Sequence, residues 1–328
     1  MNVPTQQARR ILCSSLLLFL LAACGAQPTA TVEPTLSLEL TPSPLPGTPT
    51  SEPTATPMPR LEVETYTVQP GDTLRSIAAA YNLQPETILW ANYDVLLDIP
   101  DFLFEGTQLT ILPVDGVYHQ VGGGDTVENI AAFFATSPQA IFNWGPNAID
   151  PANAVILPGQ WLVVPDGQRS LRRRTMPNLP RTAMAVDFME FGAGACPLNI
   201  EGGAVGDGIY APPVSPLDVI GEDFWSAHNG VDLAAQPGQP VLAADDGVVT
   251  FSGWSNFGYG YAVMLDHGNG QFSLYAGLAE AQALCGASVA EGEPLGSAGI
   301  IGHPAGTFVH FEIRQGGVGV DPLELLRE

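Results

Sequence analysis

Lysine is absent from all 328 residues, and the 11 basic side chains are all arginine. Against 34 carboxylates they leave a formal net charge of −23. A chain this acidic is repelled by nucleic acid and by anionic lipid headgroups, which removes both from the list of partners. Cysteine and histidine are scarce, with four and five residues, so each can be weighed singly. Long apolar runs are missing too, except for "ILCSSLLLFLLAAC" at residues 11 to 24. That run is too short for a comfortable membrane span. What the chain has in quantity is proline (30) and glycine (36), the composition of linkers and turns.

Arg9 and Arg10 stand before the apolar run, and small residues close it. A basic start, a short apolar core and small residues before a cut site describe a secretory signal over residues 1–24. The tetrad Leu21 to Cys24, "LAAC", resembles a bacterial lipobox. The resemblance implies cleavage before Cys24 and a lipid on its sulfur. Membrane attachment would then run through that lipid, with the protein extracytoplasmic and facing the cell wall. Cys13 leaves with the signal, so Cys196 and Cys285 remain. Free thiols are uncommon in an oxidising compartment, and the pair is expected to form a disulfide.

Residues 25–60 hold nine prolines and eight threonines without an apolar period. This is a tether, able to reach on the order of 100 Å if extended at ~3.1 Å per residue. An internal repeat follows. "VQPGDTLRSIAAAYNLQPETIL" from Val68 aligns with "VGGGDTVENIAAFFATSPQAIF" from Val121. Each copy begins with an alternating strand and a Gly-Asp-Thr turn that can cap a helix. Leu74, Ile77, Ala78 and Tyr81 then recur at helical spacing, and Pro85 and Pro138 open a second short helix. An apolar strand closes each copy. The units span 61–114 and 115–166.

These units resemble LysM modules, and "YTVQPGDTLRSIA" carries the likeness. The resemblance implies binding to N-acetylglucosamine-containing glycan, usually peptidoglycan. The sugar contacts it implies fall on Gly71, Asp72 and Thr73, and on Gly124, Asp125 and Thr126. A second linker, 167–195, contains "RSLRRRTMPNLPR", five of the eleven arginines. A basic run of this kind reads as a solvated loop, with contact to the acidic C-terminal region as the alternative.

From 196 to 328 short alternating runs are separated by turns, as in "GVVTFSG", "YAVMLDHGNG" and "TFVHFEIR". The pattern predicts an antiparallel β domain. His267 falls in the "DHGNG" turn and reads as a turn residue without chemistry. His228 and Asp232 sit four apart in "HNGVD", and His310 lies on an apolar strand. Two nitrogens and one oxygen are a zinc set that leaves a fourth position for water.

The blocks "HNGVDLAAQPGQPVLAADDGVVTFSG", "GYGYAVMLDHGNGQFSLYAGL" and "HFEIR" resemble the lysostaphin-type, LytM-like zinc endopeptidases, which cut peptide cross-bridges in bacterial walls. The resemblance assigns one zinc ion to His228, Asp232 and His310. It also puts two acid–base histidines where this chain has Gly277 and Phe308. Neither side chain carries a proton. His303, in the loop before the last block, is a candidate substitute, although it reads as a surface-loop residue.

The expected chain is multidomain: two small βααβ LysM modules followed by an antiparallel all-β LytM-like peptidase domain. The expected function is wall binding, with glycan held by the LysM modules and stem peptide by the C-terminal domain, together with regulation of a partner wall hydrolase. The alternatives are an active zinc-dependent peptidoglycan endopeptidase and a scaffold whose ligand residues are empty remnants.

Overall fold

The computed structural model describes residues 60–327 apart from 173–174, 184–185, 198 and 301. The expected signal, the lipid site at Cys24 and the tether up to residue 59 lie outside the described residues. No helix among the described residues is long and apolar enough to cross a membrane.

The first repeat unit contains β1 (Glu64–Thr67), α1 (Leu74–Tyr81), α2 (Pro85–Ala91), α3 (Tyr93–Leu96) and β2 (Gln108–Ile111). Thr73 accepts the N–H of Ser76, and the Ser76 hydroxyl accepts the N–H of Thr73, a reciprocal cap that starts α1. Leu74, Ile77 and Ala78 form its buried face, packed with Leu109 and Ile111 of β2. Pro85 opens α2 with its ring where no N–H is needed. The extra turn α3 and the 3-10 turn Pro100–Phe102 stretch the connection to β2. That connection becomes important below.

The second unit repeats the plan with β3 (Gly116–Gln120), α4 (Val127–Phe133), α5 (Pro138–Asn143) and β4 (Trp161–Pro165). Thr126 caps α4 as Thr73 caps α1. Gly71 and Gly124 have φ of 87° and 91°, in the left-handed region that a side chain resists. Each two-stranded sheet is antiparallel.

Residues 167–195 depart from the solvated loop expected of them. Arg169 grips the fully buried carboxylate of Asp98 with two bonds of 2.7 Å. The Arg172 guanidinium lies 4.9 Å from the ring centre of Tyr93. Met176 and Leu179 are buried. The Arg181 amide donates to Asp266 Oδ2 at 2.8 Å, and its guanidinium donates to the carbonyls of Gly202 and Ala204 at 2.9 Å. A short helix, α6 (Phe188–Phe191), adds Phe191 to the same cluster. The segment is a packed strap whose arginines neutralise buried acids. Fully burying a methionine stabilises by roughly 1.5–3 kcal/mol, so the apolar residues between the arginines outweigh the basic run.

The C-terminal region forms one antiparallel nine-stranded sheet: β5 (Val231–Ala234), β6 (Pro240–Leu242), β7 (Gly247–Ser255), β8 (Gly260–Asp266), β9 (Gln271–Ala281), β10 (Ser288–Val289), β11 (Pro294–Ala298), β12 (Phe308–Gln315) and β13 (Val318–Val320). β12 pairs with β5 on one side and β9 on the other. Val309, Phe311 and Ile313 point into one core. Phe308, His310, Glu312 and Arg314 point to the opposite face, as the two-residue period requires. Toward the Arg314 end that face is covered by the strap, where Arg314 donates to the Met176 carbonyl at 2.6 Å. Toward His310 it faces a cavity.

Cys196 and Cys285 are joined in a disulfide that closes a loop of 89 residues, which restricts the unfolded chain. His267 stands in the turn between β8 and β9. It is fully buried, with Nδ1 donating to the Asp246 carbonyl at 2.7 Å and Nε2 lying 2.9 Å from Ser273 Oγ. It ties the turn from within.

Candidate metal centre

The register of the sheet sets the site. His310 lies directly across from Asp232 on β5 and from Ala276 on β9. His228 precedes β5 in a tight loop bridged to Trp225. His310 Nδ1 is 3.0 Å from Asp232 Oδ1, and His228 Nε2 is 3.0 Å from His310 Nδ1 and 3.3 Å from Asp232 Oδ1. All three predicted ligands therefore meet, and all are buried.

A fourth side chain joins them from the first repeat unit. Asp101, in the turn before β2, places Oδ1 3.2 Å from His228 Nε2 and Oδ2 3.6 Å from His310 Nδ1. One donor atom from each of Asp101, His228, Asp232 and His310 lies within 4.8 Å of all the others. Nothing in the sequence spacing pointed to Asp101, because it sits more than a hundred residues from the blocks around it.

The outer partners fix how each imidazole faces. His228 Nδ1 donates to the Asp223 carbonyl at 2.8 Å, which leaves Nε2 for the cluster. His310 Nε2 donates to Glu312 Oε1 at 3.1 Å, which leaves Nδ1. Glu312 also accepts from Tyr259 at 2.9 Å and from Arg314 Nε at 2.6 Å. Asp232 Oδ2 accepts the N–H of Glu222 at 2.8 Å. An imidazole whose far nitrogen is held by a carbonyl or carboxylate is the usual arrangement around a metal ligand. Glu312 could have been anticipated, because it stands two residues after His310 and so on the same face.

Electrostatics points the same way. Burial pushes His228 and His310 toward the neutral form, but the neighbouring carboxylates outweigh it. His228 is held well above the usual imidazole range, and His310 is raised to about 9. Burial likewise pushes Asp232 up, yet the two imidazoles hold it well below the usual carboxylate range. Two acids beside two imidazoles draw positive charge to one point, supplied by protons or by a cation.

The positions expected to carry acid–base histidines lie at the same spot. Gly277, at φ 73°, and Phe308 both line a cavity of about 390 Å³ beside His310, together with Asp101 and Phe102. His303 is buried rather than on the surface. Its ring meets the Phe308 ring edge-on at 5.1 Å, and Nδ1 accepts the N–H of Ala305 at 3.2 Å. The proton therefore sits on Nε2, and burial holds the ring neutral by pushing its pKa down. His303 is outside the four-donor cluster.

The two Gly-Asp-Thr turns have different surroundings. In the first, Gly71 donates to the Pro304 carbonyl at 2.7 Å, and the next residues, Leu74 and Arg75, donate to Glu222 Oε1 at 2.5 and 3.3 Å. That turn faces the β domain. In the second, Asp125 Oδ2 accepts from Gly122 and lies 2.8 Å from His119, while Gly124 is exposed. Burial raises Glu222 to about 7.

Comparison with known proteins agrees with this architecture. Residues 226–322 match Peptidase family M23, and residues 66–112 and 119–165 match the LysM domain. The chain thus carries two LysM domains followed by an antiparallel M23 peptidase domain. It is 43% identical over 101 residues to the DD-carboxypeptidase/endopeptidase Mpg of Neisseria meningitidis serogroup B, covering 31% of this chain and 23% of that protein. It is 37% identical over 136 residues to the lipoprotein NlpD/LppB homolog of Pseudomonas aeruginosa, covering 41% of this chain and 44% of that one. It is 35% identical over 102 residues to the murein hydrolase activator EnvC of Escherichia coli, covering 31% and 23%. The matches span less than half the length of these curated relatives.

Proposed function

We propose that the protein is an envelope lipoprotein that grips peptidoglycan and regulates its hydrolysis by another enzyme, without cutting cross-bridges itself. The observation that carries this reading is the cavity beside His310, where Phe308 and Gly277 stand and no proton carrier faces the cluster from those positions. A relative with the printed role of murein hydrolase activator supports it. So does the likeness to a lipoprotein, together with the lipobox-like Leu21 to Cys24. The LysM modules hold the glycan; the second, with Gly122 and Gly123 where the first has Gln69 and Pro70, has the looser loop and the weaker grip. The M23 domain takes the stem peptide or the partner hydrolase.

We assign one zinc ion to His228, Asp232 and His310. Their two nitrogens and one oxygen suit it, and the far nitrogen of each imidazole is already bonded. When bound, zinc lowers the pKa of a coordinated water and polarises a carbonyl. Gly221 is the tightest support of this set. A Cβ there would lie 2.4 Å from Asp232 Oδ2 and 2.6 Å from its Cβ. Gly221→Ala is therefore expected to weaken zinc binding roughly 10–100-fold in chelator competition, although it removes no ligand. Unchanged affinity would show that Asp232 is not needed where it stands.

The functional reading is tested by mixing. The chain should pellet with purified peptidoglycan, release no peptide alone, and raise the rate at which an added peptidoglycan hydrolase releases fragments. If it pellets no better than an unrelated acidic protein and leaves the rate of the added hydrolase unchanged, the reading fails.

The competing reading is a slow endopeptidase in which His303 Nε2–H replaces a missing histidine. The observation favouring it is that this buried nitrogen has no hydrogen-bond partner.

A further inference from the structure

We propose that Asp101 is a fourth zinc ligand, so that the centre is closed by protein on every side and fastens the first LysM module over the M23 groove. This rests on the zinc assignment above and extends it to a residue outside the M23 domain. The spacing supports it. A zinc ion with nitrogen and oxygen ligands at ~2.0–2.1 Å in a tetrahedral set needs donors about 3.3 Å apart. The three M23 donors are separated by 3.0, 3.0 and 3.3 Å, and Asp101 oxygens stand 3.2 and 3.6 Å from the two imidazole nitrogens. Oδ1 makes the approach to His228 and Oδ2 the approach to His310, and one Asp101 oxygen lies within 4.8 Å of every other donor atom.

Two further observations are independent of the spacing. Asp101 Oδ1 is buried against the cluster; His228 Nε2 at 3.2 Å is its ion-pair neighbour, and no donor among the described residues is aligned on it as a hydrogen bond. Leaving a buried carboxylate oxygen without a donor is costly, and a cation removes that cost. The module that carries Asp101 is also held in place by contacts that need no metal. Glu222 receives the backbone of Leu74 and Arg75, Pro304 receives that of Gly71, Arg75 pairs with Asp223, and Ser226 donates to Glu86.

The chemistry differs from that of an open centre. Structural zinc sites are closed by four protein ligands, whereas catalytic ones keep a position for water. Here water or a substrate carbonyl reaches the ion only after Asp101 leaves. The same docking ties the Gly71 amide to the Pro304 carbonyl, so release of Asp101 and loss of that bond are expected together.

The test uses the full chain with the metal alone. Zinc affinity is measured by chelator competition, the ligand field by cobalt substitution, and docking by hydrogen exchange over residues 99–104 with and without zinc. Wild type should bind zinc, give the intense visible band of four-coordinate cobalt, and gain exchange protection over 99–104 when zinc is added. Asp101→Ala should bind zinc at least ~10-fold more weakly, lose most of that band, and gain no protection. Asp101→Asn, which keeps the side chain's shape and one oxygen, should fall between them. If wild type and both variants show equal affinity, spectra and protection, the fourth ligand is refuted and the three-residue zinc assignment survives. If wild type itself takes up no zinc, the three-residue assignment and this inference fall together.

Discussion

Peptidoglycan incubated with the zinc-loaded chain is expected to lose peptide cross-links at least ~10⁴-fold more slowly than with an M23 enzyme that has both acid–base histidines. General acid–base help supplies typically 10²–10⁴-fold, and oxyanion stabilisation a further ~10²–10³. Phe308 and Gly277 can provide neither, since neither side chain donates or accepts a proton. Release of soluble peptide, followed by chromatography, measures the rate. Cleavage within about tenfold of the active enzyme, abolished by His310→Ala, would overturn the regulatory reading. The His303→Ala variant then separates the remaining cases. If it alone removes the residual rate, His303 is the acid of a slow endopeptidase. Gain of activity is best sought with Phe308→His alone. Gly277 sits at φ 73°, where a side chain costs roughly 1–2 kcal/mol, so Gly277→His would confuse loss of fold with lack of chemistry.

Replacing Glu312 by alanine is expected to destabilise the fold by about 3–5 kcal/mol, the typical effect of stranding a buried charge. Glu312 is 1% exposed and Arg314 3% exposed. Among the described residues, the carboxylate is the only acid bonded to that guanidinium, which also donates to the Met176 carbonyl, Asn178 and the Tyr259 oxygen. Arg314 holds Glu312 against burial, at a pKa of about 2. Without the carboxylate, the guanidinium stays in the interior with neutral partners. Urea unfolding followed by circular dichroism measures the change. A loss below about 1 kcal/mol would mean that water reaches Arg314 and that the strap does not seal this end of the sheet. Glu312→Gln keeps the shape and should cost less. It should still disturb His310, because a neutral amide is a weaker acceptor for the Nε2 proton than a carboxylate.

What the sequence revealed was mostly local. The repeat, its capped helices and its closing strands follow from contacts within about fifty residues, and the structure shows the same order. His228 and Asp232 stand on one short segment, and the alternation around His310 fixes its face. The distant partners left no such trace. Asp101 meets His228 only because one module folds onto another, and no spacing rule connects them. The strap from 167 to 195 is hard to read from sequence for a related reason. Its arginines look solvated when seen alone, but Asp98 and Asp266, the buried acids they answer, lie far away in sequence. His303 reads as a surface residue because it stands in a loop, whereas its burial is decided by the sheet beneath it.

The 53-residue repeat has one more consequence. Tandem duplication supplies two copies of one fold, and here the copies do not meet the same surroundings: the turn of the first is bonded to the β domain through Gly71 and Pro304, and the second has no such bond among the described residues. The first copy thereby serves as a point of attachment as well as a repeat of the fold.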